Sequence, residues 1–263
     1  MKNEIKNVLV LEKGIWTPDQ IRVRQVKINQ FQRDDEEARA IDDNWQKILA
    51  KNPQAFSGPT IRLVGRHCLR DRLVLEVVPS NYKESCFLGW LGVAMVPITR
   101  DGYLALQGHV SSISATVGEG MRVPGCTPKD TKVIPYLIEE MREEFGVRVA
   151  KDNLTILGLT EVKSPLSMPN SALVTKVKIT QSRQELIKCW EKARERWEGE
   201  LHFVKLDYER KKVSFQELGG SGMINPHSLL ILGLVIENEL NISNCISYWP
   251  RFTGTWQKTA AGR

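Results

Sequence analysis

Two strand-type segments, LGVAMVPIT and YLALQGHV, flank the tripeptide Arg100-Asp101-Gly102. Asp-Gly is a strong signal for a tight turn between antiparallel strands, because glycine adopts a positive φ without steric cost. The pattern therefore predicts a β-hairpin that begins near residue 90. Other strand-type and helix-type segments follow one another without a regular strand–helix–strand period. This order favours an α/β fold with a central mixed sheet over a doubly wound fold.

The first 88 residues have a strand-rich pattern interrupted by one helix. VLVLE and IRVRQVKI are strand-type, and TIRLVGRHCLRDRLVLEVV predicts a second hairpin that turns near Asp71. Between them, four apolar residues recur at helical spacing, with acids before them and lysines after them, as the helix dipole favours. These four residues are Ala38, Ile41, Trp45 and Ile48. SNYKESCFLGW is expected to connect this region to the hairpin near residue 90.

Two further helices are predicted in the second half of the chain. Ser182 and Glu185 stand at the spacing of a capping box, at the start of a helix that we expect to continue to Trp197. Asn225 and Pro226 are typical of the N-cap and the first position of a largely apolar helix. The segments LTILGLTEV, ALVTKVKIT and LHFVKLD are of strand type, with a loop expected at KSPLSMPNS.

Composition excludes several classes of protein. With 41% apolar residues the chain can build a substantial core, whereas its longest apolar run, at 86–98, is too short to cross a bilayer. No signal peptide is evident, so we expect a cytoplasmic protein without membrane association. Five scattered cysteines and four separated histidines show no zinc spacing. The formal charge of +6 suits anionic ligands, but no motif supports nucleic-acid binding, and basic runs such as KARER at 192–196 are typical of solvated surfaces.

The segment EEMREEFGV carries four glutamates within six positions. In a helix, Glu140, Glu143 and Glu144 share one side, and we expect an apolar face opposite them. That predicted apolar face consists of Ile134, Ile138, Met141 and Phe145, and Gly146 is expected to end the helix. One interpretation is a solvated acidic surface in which Arg142 pairs with Glu139. The other is a site for a hard divalent cation, which takes oxygen ligands.

Residues 125–147 resemble the signature of the Nudix hydrolase family. That signature is Gly, five residues, Glu, seven residues, then Arg-Glu-aliphatic-x-Glu-Glu-x-Gly-aliphatic. Gly125 takes the first position, but Thr131 stands in place of the isolated Glu and Glu139 in place of the Arg. The remaining positions are occupied as required, by Glu140, Met141, Glu143, Glu144, Gly146 and Val147. The N-terminal segment is more loosely similar to a Nudix subgroup that hydrolyses UDP-glucose and UDP-galactose.

The resemblance implies an architecture. It is a Nudix-type α/β/α sandwich at residues 89–263, preceded by a β-rich extension with one helix at residues 1–88. It also implies Mg²⁺- or Mn²⁺-dependent hydrolysis of a diphosphate linkage in a nucleoside diphosphate-linked compound, such as a nucleotide sugar. A homodimer is a further expectation.

The resemblance also implies site residues. Glu140, Glu143 and Glu144 are catalytic and bind the metal ion, and Glu198 from a later loop is a further candidate ligand. Arg122, Gly125 and His109 are candidates for substrate contacts, although Arg122 and His109 each have an ordinary structural role as an alternative. Because of Thr131 and Glu139, a catalytically impaired protein that binds nucleotides or regulates another process remains the alternative function.

Overall fold

The computed structural model describes residues 8–27, 34–109, 120–122, 125–164, 167–194, 200–214, 223–224 and 226–242. Helices in this part of the chain are α1 (Asp35–Lys51), α2 (Tyr82–Leu88), α3 (Val133–Phe145), α4 (Arg183–Trp190) and α5 (Pro226–Leu240). Strands up to the acidic helix are β1 (Val8–Trp16), β2 (Ile21–Gln25), β3 (Pro59–Leu69), β4 (Arg72–Asn81), β5 (Leu91–Ile98), β6 (Tyr103–His109), β7 (Gly120–Arg122) and β8 (Gly125–Cys126). Those after it are β9 (Leu154–Ser164), β10 (Ser167–Lys178), β11 (Glu200–Asp207), β12 (Lys212–Ser214) and β13 (Met223–Ile224).

The main sheet is mixed, as predicted. Its strand order is β1-β9-β10-β5-β6-β11-β12, with β8 paired to β5, and β7 paired to both β6 and β13. β10 runs parallel to β5 and β13 parallel to β7, whereas the other pairs in this sheet are antiparallel. The predicted hairpin joins β5 to β6, and Gly102 has a φ of +79° in its turn.

Helices cover both faces of the main sheet. All eight residues of β5 are buried, and alternate ones face opposite cores. Leu91, Val93 and Met95 pack in the core that contains α3 residues, whereas Val96 and Ile98 pack in the core that contains α5 residues. A strand covered on both faces has a continuous apolar sequence, which explains LGVAMVPI. The predicted α/β/α sandwich around a mixed sheet is confirmed.

A smaller sheet, with strand order β2-β4-β3, lies on the same side of the main sheet as α3. Leu73, Leu75 and Val77 of β4 belong to the core that α3 also enters. β1, in contrast, is an edge strand of the main sheet and pairs with β9. The region before residue 89 therefore contributes to both sheets, and the division of the chain at residues 88 and 89 stays a prediction.

Several element boundaries differ from those predicted. SNYKESCFLGW contains helix α2 rather than a simple connection, and Asn81 caps it by accepting a hydrogen bond from the backbone N–H of Glu84 at 3.0 Å. α4 ends at Trp190, because the chain turns there instead of continuing the helix to Trp197. β9 and β10 extend into the expected loop KSPLSMPNS. Asn225 and Trp197 lie outside the described residues.

Among the helices that the structure describes, none has the length and apolar character needed to cross a membrane.

Candidate active site

Helix α3 is fixed at its C-terminal end by a glycine. Gly146 has a φ of +66°, and its N–H donates to the carbonyl of Arg142 while the N–H of Val147 donates to that of Met141. This is the helix end predicted from the sequence. A Cβ at Gly146 would also lie 2.5 Å from the carbonyl oxygen of Cys189 in α4. The last turn of α3, which carries Glu143 and Glu144, is therefore held against α4.

The N-terminal side of α3 is held differently. Its N-cap is Lys132, and no side chain caps the helix there, so Thr131 does not take the N-cap position. Pro135 is the third helical residue, where a missing N–H costs no helical hydrogen bond. Upstream, a Cβ at Gly125 would lie 2.3 Å from the carbonyl oxygen of Val93. Gly125 therefore has a packing role beside β5, and its predicted contact with substrate stays a prediction.

The buried side of α3 differs from the predicted one. It consists of Val133, Leu137, Met141, Glu144 and Phe145. Ile134 and Ile138 are half-buried at its margin. At about 100° of rotation per residue, Glu144 lies about 20° from Leu137, and so within the buried stripe. Glu140 lies about 40° and Glu143 about 100° from Glu144 around the helix. The three glutamates share one side, but that side overlaps the core-facing stripe instead of opposing it.

Burial makes the four glutamates unequal. Glu139 is exposed, Glu140 and Glu143 are half-buried, and Glu144 is only 2% exposed. A carboxylate is costly to bury unless its charge is compensated, so a solvated acidic surface predicts an exposed Glu144. The structure contradicts that expectation for Glu144 and meets it for Glu139.

Two arginines contact the exposed part of the acidic side. Arg142 Nε donates to Glu139 Oε2 at 3.2 Å, with a second contact between the same side chains. This hydrogen-bonded pair lowers the pKa of Glu139 and raises that of Arg142. Glu143 Oε1 accepts from Arg194 Nη1 at 3.0 Å and lies 3.5 Å from Arg142 Nη2. The pairing of Arg142 with Glu139, expected in one interpretation of the sequence, is therefore present.

Arg194 was missed by sequence reasoning. It lies in KARER, a basic run typical of solvated surfaces, and its side chain is 77% exposed. Its contact with Glu143 spans 51 positions of the chain. No local spacing indicates such a contact, which exists because α4 and its following turn lie beside the end of α3.

Gln107 is a second residue that sequence reasoning missed. It lies two residues after Ala105 in β6 and so on the same face of the strand, towards the core on the α3 side, and it is 1% exposed. Its Oε1 has no hydrogen-bond partner within the described part of the chain. The sequence did contain a signal for Gln107, because it is a polar residue at an inward position of the apolar segment YLALQGHV. The neighbouring ladder pairs the backbone of Arg122 with Gln107 and that of His109 with Gly120.

The remaining predicted residues are less fully described. His109 and Arg122 lie in β6 and β7, but their side chains, like the whole of Glu198, fall outside the described parts. The ladder thus brings the two backbone segments together, and the predicted contacts of these three side chains stay predictions.

The acidic residues suit a divalent cation by their donor chemistry. Mg²⁺ and Mn²⁺ take oxygen ligands, and Glu140, Glu143 and Glu144 offer carboxylates from one side of one helix. Within the part of the chain that the structure describes, no three His, Cys, Asp or Glu side chains are already arranged to hold a metal ion. Glu143 instead contacts guanidinium groups. The donor set fits such an ion, provided that these groups move away from Glu143.

Clefts lie on both faces of the main sheet. One of about 230 Å³ opens between the two sheets and is lined by Arg62, Arg66, Glu161 and Ser171, among others. Leu63 in its wall packs against the core on the α3 side. Another, of about 300 Å³, is bounded by β1 and by Leu234 of α5. The first cleft therefore shares a face of the sheet with the acidic residues, and the second lies on the opposite face.

No protein-family model matches the sequence, and no curated protein matches it. Chains of solved structures do match, among them the crystal structure of the MutT protein from Methanosarcina mazei Go1. That protein is 14% identical to this chain, and the match covers 58% of this chain and 97% of the other with a TM-score of 0.35.

Proposed function

We propose that this protein hydrolyses a diphosphate linkage in a nucleoside diphosphate-linked compound, such as a nucleotide sugar, with Mg²⁺ or Mn²⁺. The observation that carries the proposal is the burial of Glu144 beside Glu140 and Glu143 on one side of a helix with a fixed end. A surface acidic patch has no need of a buried carboxylate. The resemblance of residues 125–147 to the Nudix signature supports the same assignment.

Each carboxylate has a distinct role in the proposed reaction. Glu143 and Glu144 hold the divalent cation, which neutralises negative charge on the phosphate oxygens when bound. Glu140 accepts a proton from the attacking water as its oxygen forms a bond to phosphorus. The bond between that phosphorus and the bridging oxygen breaks, and the second phosphate group leaves. Since phosphoryl transfer depends mainly on position and charge, the fixed end of α3 serves the reaction directly.

The departures from the signature affect how the carboxylates are oriented, but they leave all three carboxylates present. An ionised Glu139 cannot donate the hydrogen bonds that an arginine supplies, and here it pairs with Arg142. The guanidinium groups near the site instead come from Arg142 and Arg194, both close to Glu143.

A substrate panel tests the proposal. We expect a nucleoside monophosphate to be released from at least one nucleotide sugar or dinucleoside diphosphate when Mg²⁺ or Mn²⁺ is present. Glu140→Gln should lower the rate by about 10²- to 10⁴-fold, the usual contribution of a general base. Glu143→Gln combined with Glu144→Gln should abolish it. Glu139→Gln is the matched control, an exposed acid of the same helix whose loss should leave most activity.

Two results would refute this function. One is the absence of product from every compound with either metal ion. The other is equal turnover by the wild-type protein and by the Glu143→Gln, Glu144→Gln variant. Circular dichroism of each variant shows whether a buried substitution at residue 144 has disturbed the fold.

A second candidate is a protein that binds nucleoside diphosphates without efficient catalysis. It is favoured by the engagement of Glu143 with two arginines and by Thr131 and Glu139 at signature positions. A ligand that binds the folded state raises the melting temperature. A rise on adding nucleoside diphosphates, with no product detected, would support this candidate over hydrolysis. The predicted homodimer and cytoplasmic location are separate expectations.

A further inference from the structure

A guanidinium from outside helix α3 contacts Glu143, one of the three carboxylates of the acidic side. Arg194 follows α4, and the turn that carries it is ordered by hydrogen bonds from Lys192 N to the carbonyl of Cys189 and from Ala193 N to that of Trp190. Gly146 closely approaches the same Cys189 carbonyl. The backbone beside Arg194 is therefore tied to the end of α3, which carries Glu143.

The side chains of Arg194 and Glu143 differ in their exposure to solvent. Glu143 is 18% exposed, whereas Arg194 is 77% exposed. The carboxylate is held by its surroundings, and most of the arginine side chain faces solvent. Movement of Arg194 away from Glu143 is therefore the easier rearrangement of the two.

A divalent cation and Arg194 compete for the same atom. Arg194 and Arg142 both approach Oε1 of Glu143, at 3.0 Å and 3.5 Å. A metal ion on this oxygen would place its charge within a few ångströms of both guanidinium groups, and like charges repel strongly where water is partly excluded. Arg142 already has Glu139 as a partner, so Arg194 is the group that is free to leave.

We propose that Arg194 neutralises Glu143 in the metal-free protein and moves to a phosphate of the substrate when a divalent cation takes Glu143. A guanidinium suits this second role because it donates bidentate hydrogen bonds to phosphate oxygens. Arg194 is then a substrate-binding residue that contacts a phosphate only after it has left Glu143. The inference rests on the proposed function and assigns a separate, measurable role to one residue.

Binding measurements with Arg194→Ala test this role without turnover. Titration with MnCl₂, followed by the electron paramagnetic resonance signal of free Mn²⁺, should show Mn²⁺ affinity rising about 2- to 5-fold, the worth of a lost surface ion pair. Calorimetry in saturating Mn²⁺ should show that methylenediphosphonate, a diphosphate analogue resistant to hydrolysis, binds about 10-fold more weakly, as expected for a lost charge-assisted hydrogen bond. A merely structural role moves both affinities downward.

Matched variants isolate the effect. Arg100→Ala removes another exposed arginine, which pairs with Glu185 of α4, and should change neither affinity. In a Glu143→Gln background, Arg194→Ala should no longer improve Mn²⁺ binding, because the competition has been removed. Arg194→Lys should keep part of the Mn²⁺ effect of the wild-type residue but recover little of the diphosphonate affinity. Melting temperatures of all variants verify that they are folded.

The outcomes separate this inference from the proposed hydrolysis. Opposite shifts in Mn²⁺ and diphosphonate affinity support the role of Arg194 even if no compound in the substrate panel is cleaved. Unchanged Mn²⁺ affinity in Arg194→Ala, a loss of both affinities, or no Mn²⁺ binding by the wild-type protein would each overturn it, whatever the panel shows.

Discussion

Replacement of Gly146 by alanine tests how the last turn of helix α3 is held. The left-handed φ of +66° costs an alanine about 1–2 kcal/mol. The new Cβ would lie 2.5 Å from the carbonyl oxygen of Cys189, so α3 and α4 must separate, and overpacking of this kind costs about 1–3 kcal/mol. Gly146→Ala should therefore lower the free energy of unfolding by about 2–5 kcal/mol, a large fraction of the stability of a typical domain.

Thermal and urea denaturation, followed by circular dichroism, measure this loss. At about 2–4 °C per kcal/mol for a chain of this size, Gly146→Ala should melt roughly 5–15 °C below the wild-type protein. Gly102→Ala is the control, because its φ of +79° imposes similar strain. There the nearest atom, 3.0 Å from the new Cβ, belongs to the movable ring of Tyr208, and we expect a loss of about 1–2 kcal/mol.

A third variant separates strain from overlap. Asparagine tolerates the left-handed conformation, so Gly146→Asn should recover most of the strain energy but keep the overlap with Cys189. Equal losses in Gly146→Ala and Gly102→Ala, or full recovery in Gly146→Asn, would show that the contact between α3 and α4 has no energetic weight. In that case α4 does not fix the end of α3.

Two further predictions concern the helices that flank the sheet. Burial lowers the pKa of His227, whose Nε2 lies 2.8 Å from Thr160 Oγ1, to about 4. The unfolded chain, with a histidine pKa near 6.5, binds this proton first. The contribution of neutral His227 to the free energy of unfolding is therefore fully present above pH 6.5. It falls by on the order of 3 kcal/mol as the pH is lowered to 4. Urea denaturation across this range should show a weaker pH dependence in His227→Gln, and an unchanged one would contradict the assignment. Ser182 and Glu185 cap α4 reciprocally, so Ser182→Ala should cost about 1 kcal/mol, whereas an unchanged urea midpoint would show that the cap contributes nothing.

Local signals predicted much of the fold. The Asp-Gly turn located the β5–β6 hairpin, and the capping box at Ser182 located the start of α4. Gly146 marked the end of α3. In each case the signal and the structure that it predicts lie within a few residues, so no knowledge of the tertiary contacts was needed. α2 had such a signal as well, since Asn81 and Glu84 stand at cap spacing.

Tertiary packing decided the features that sequence reasoning missed. α3 contains two overlapping apolar stripes that both include Met141 and Phe145. One adds Ile134 and Ile138, and the other adds Val133 and Leu137. The sequence does not distinguish them, and the sheet buries the second stripe. Val133 and Leu137 lie about 100° around the helix from Ile134 and Ile138, and Glu144 lies on their side, so burial of the second stripe brings Glu144 into the core. Arg194 was missed for a related reason, because its partner lies 51 positions away in another helix.

The burial of the Val133 and Leu137 side of α3 also determines where Glu139 lies relative to the other three glutamates. This residue lies about 140° around the helix from Glu144, exposed and paired with Arg142, so a glutamate at this position leaves the three inner carboxylates in place. Position 139 offers no guanidinium, yet those of Arg142 and Arg194 approach Glu143. In the proposed reaction, catalysis therefore depends less on the residue at position 139 than on whether a cation can displace Arg194 from Glu143. A chain in which Arg194 never leaves Glu143 would bind a diphosphate poorly and hydrolyse it slowly. One in which Arg194 exchanges readily would bind the diphosphate more tightly and hydrolyse it faster.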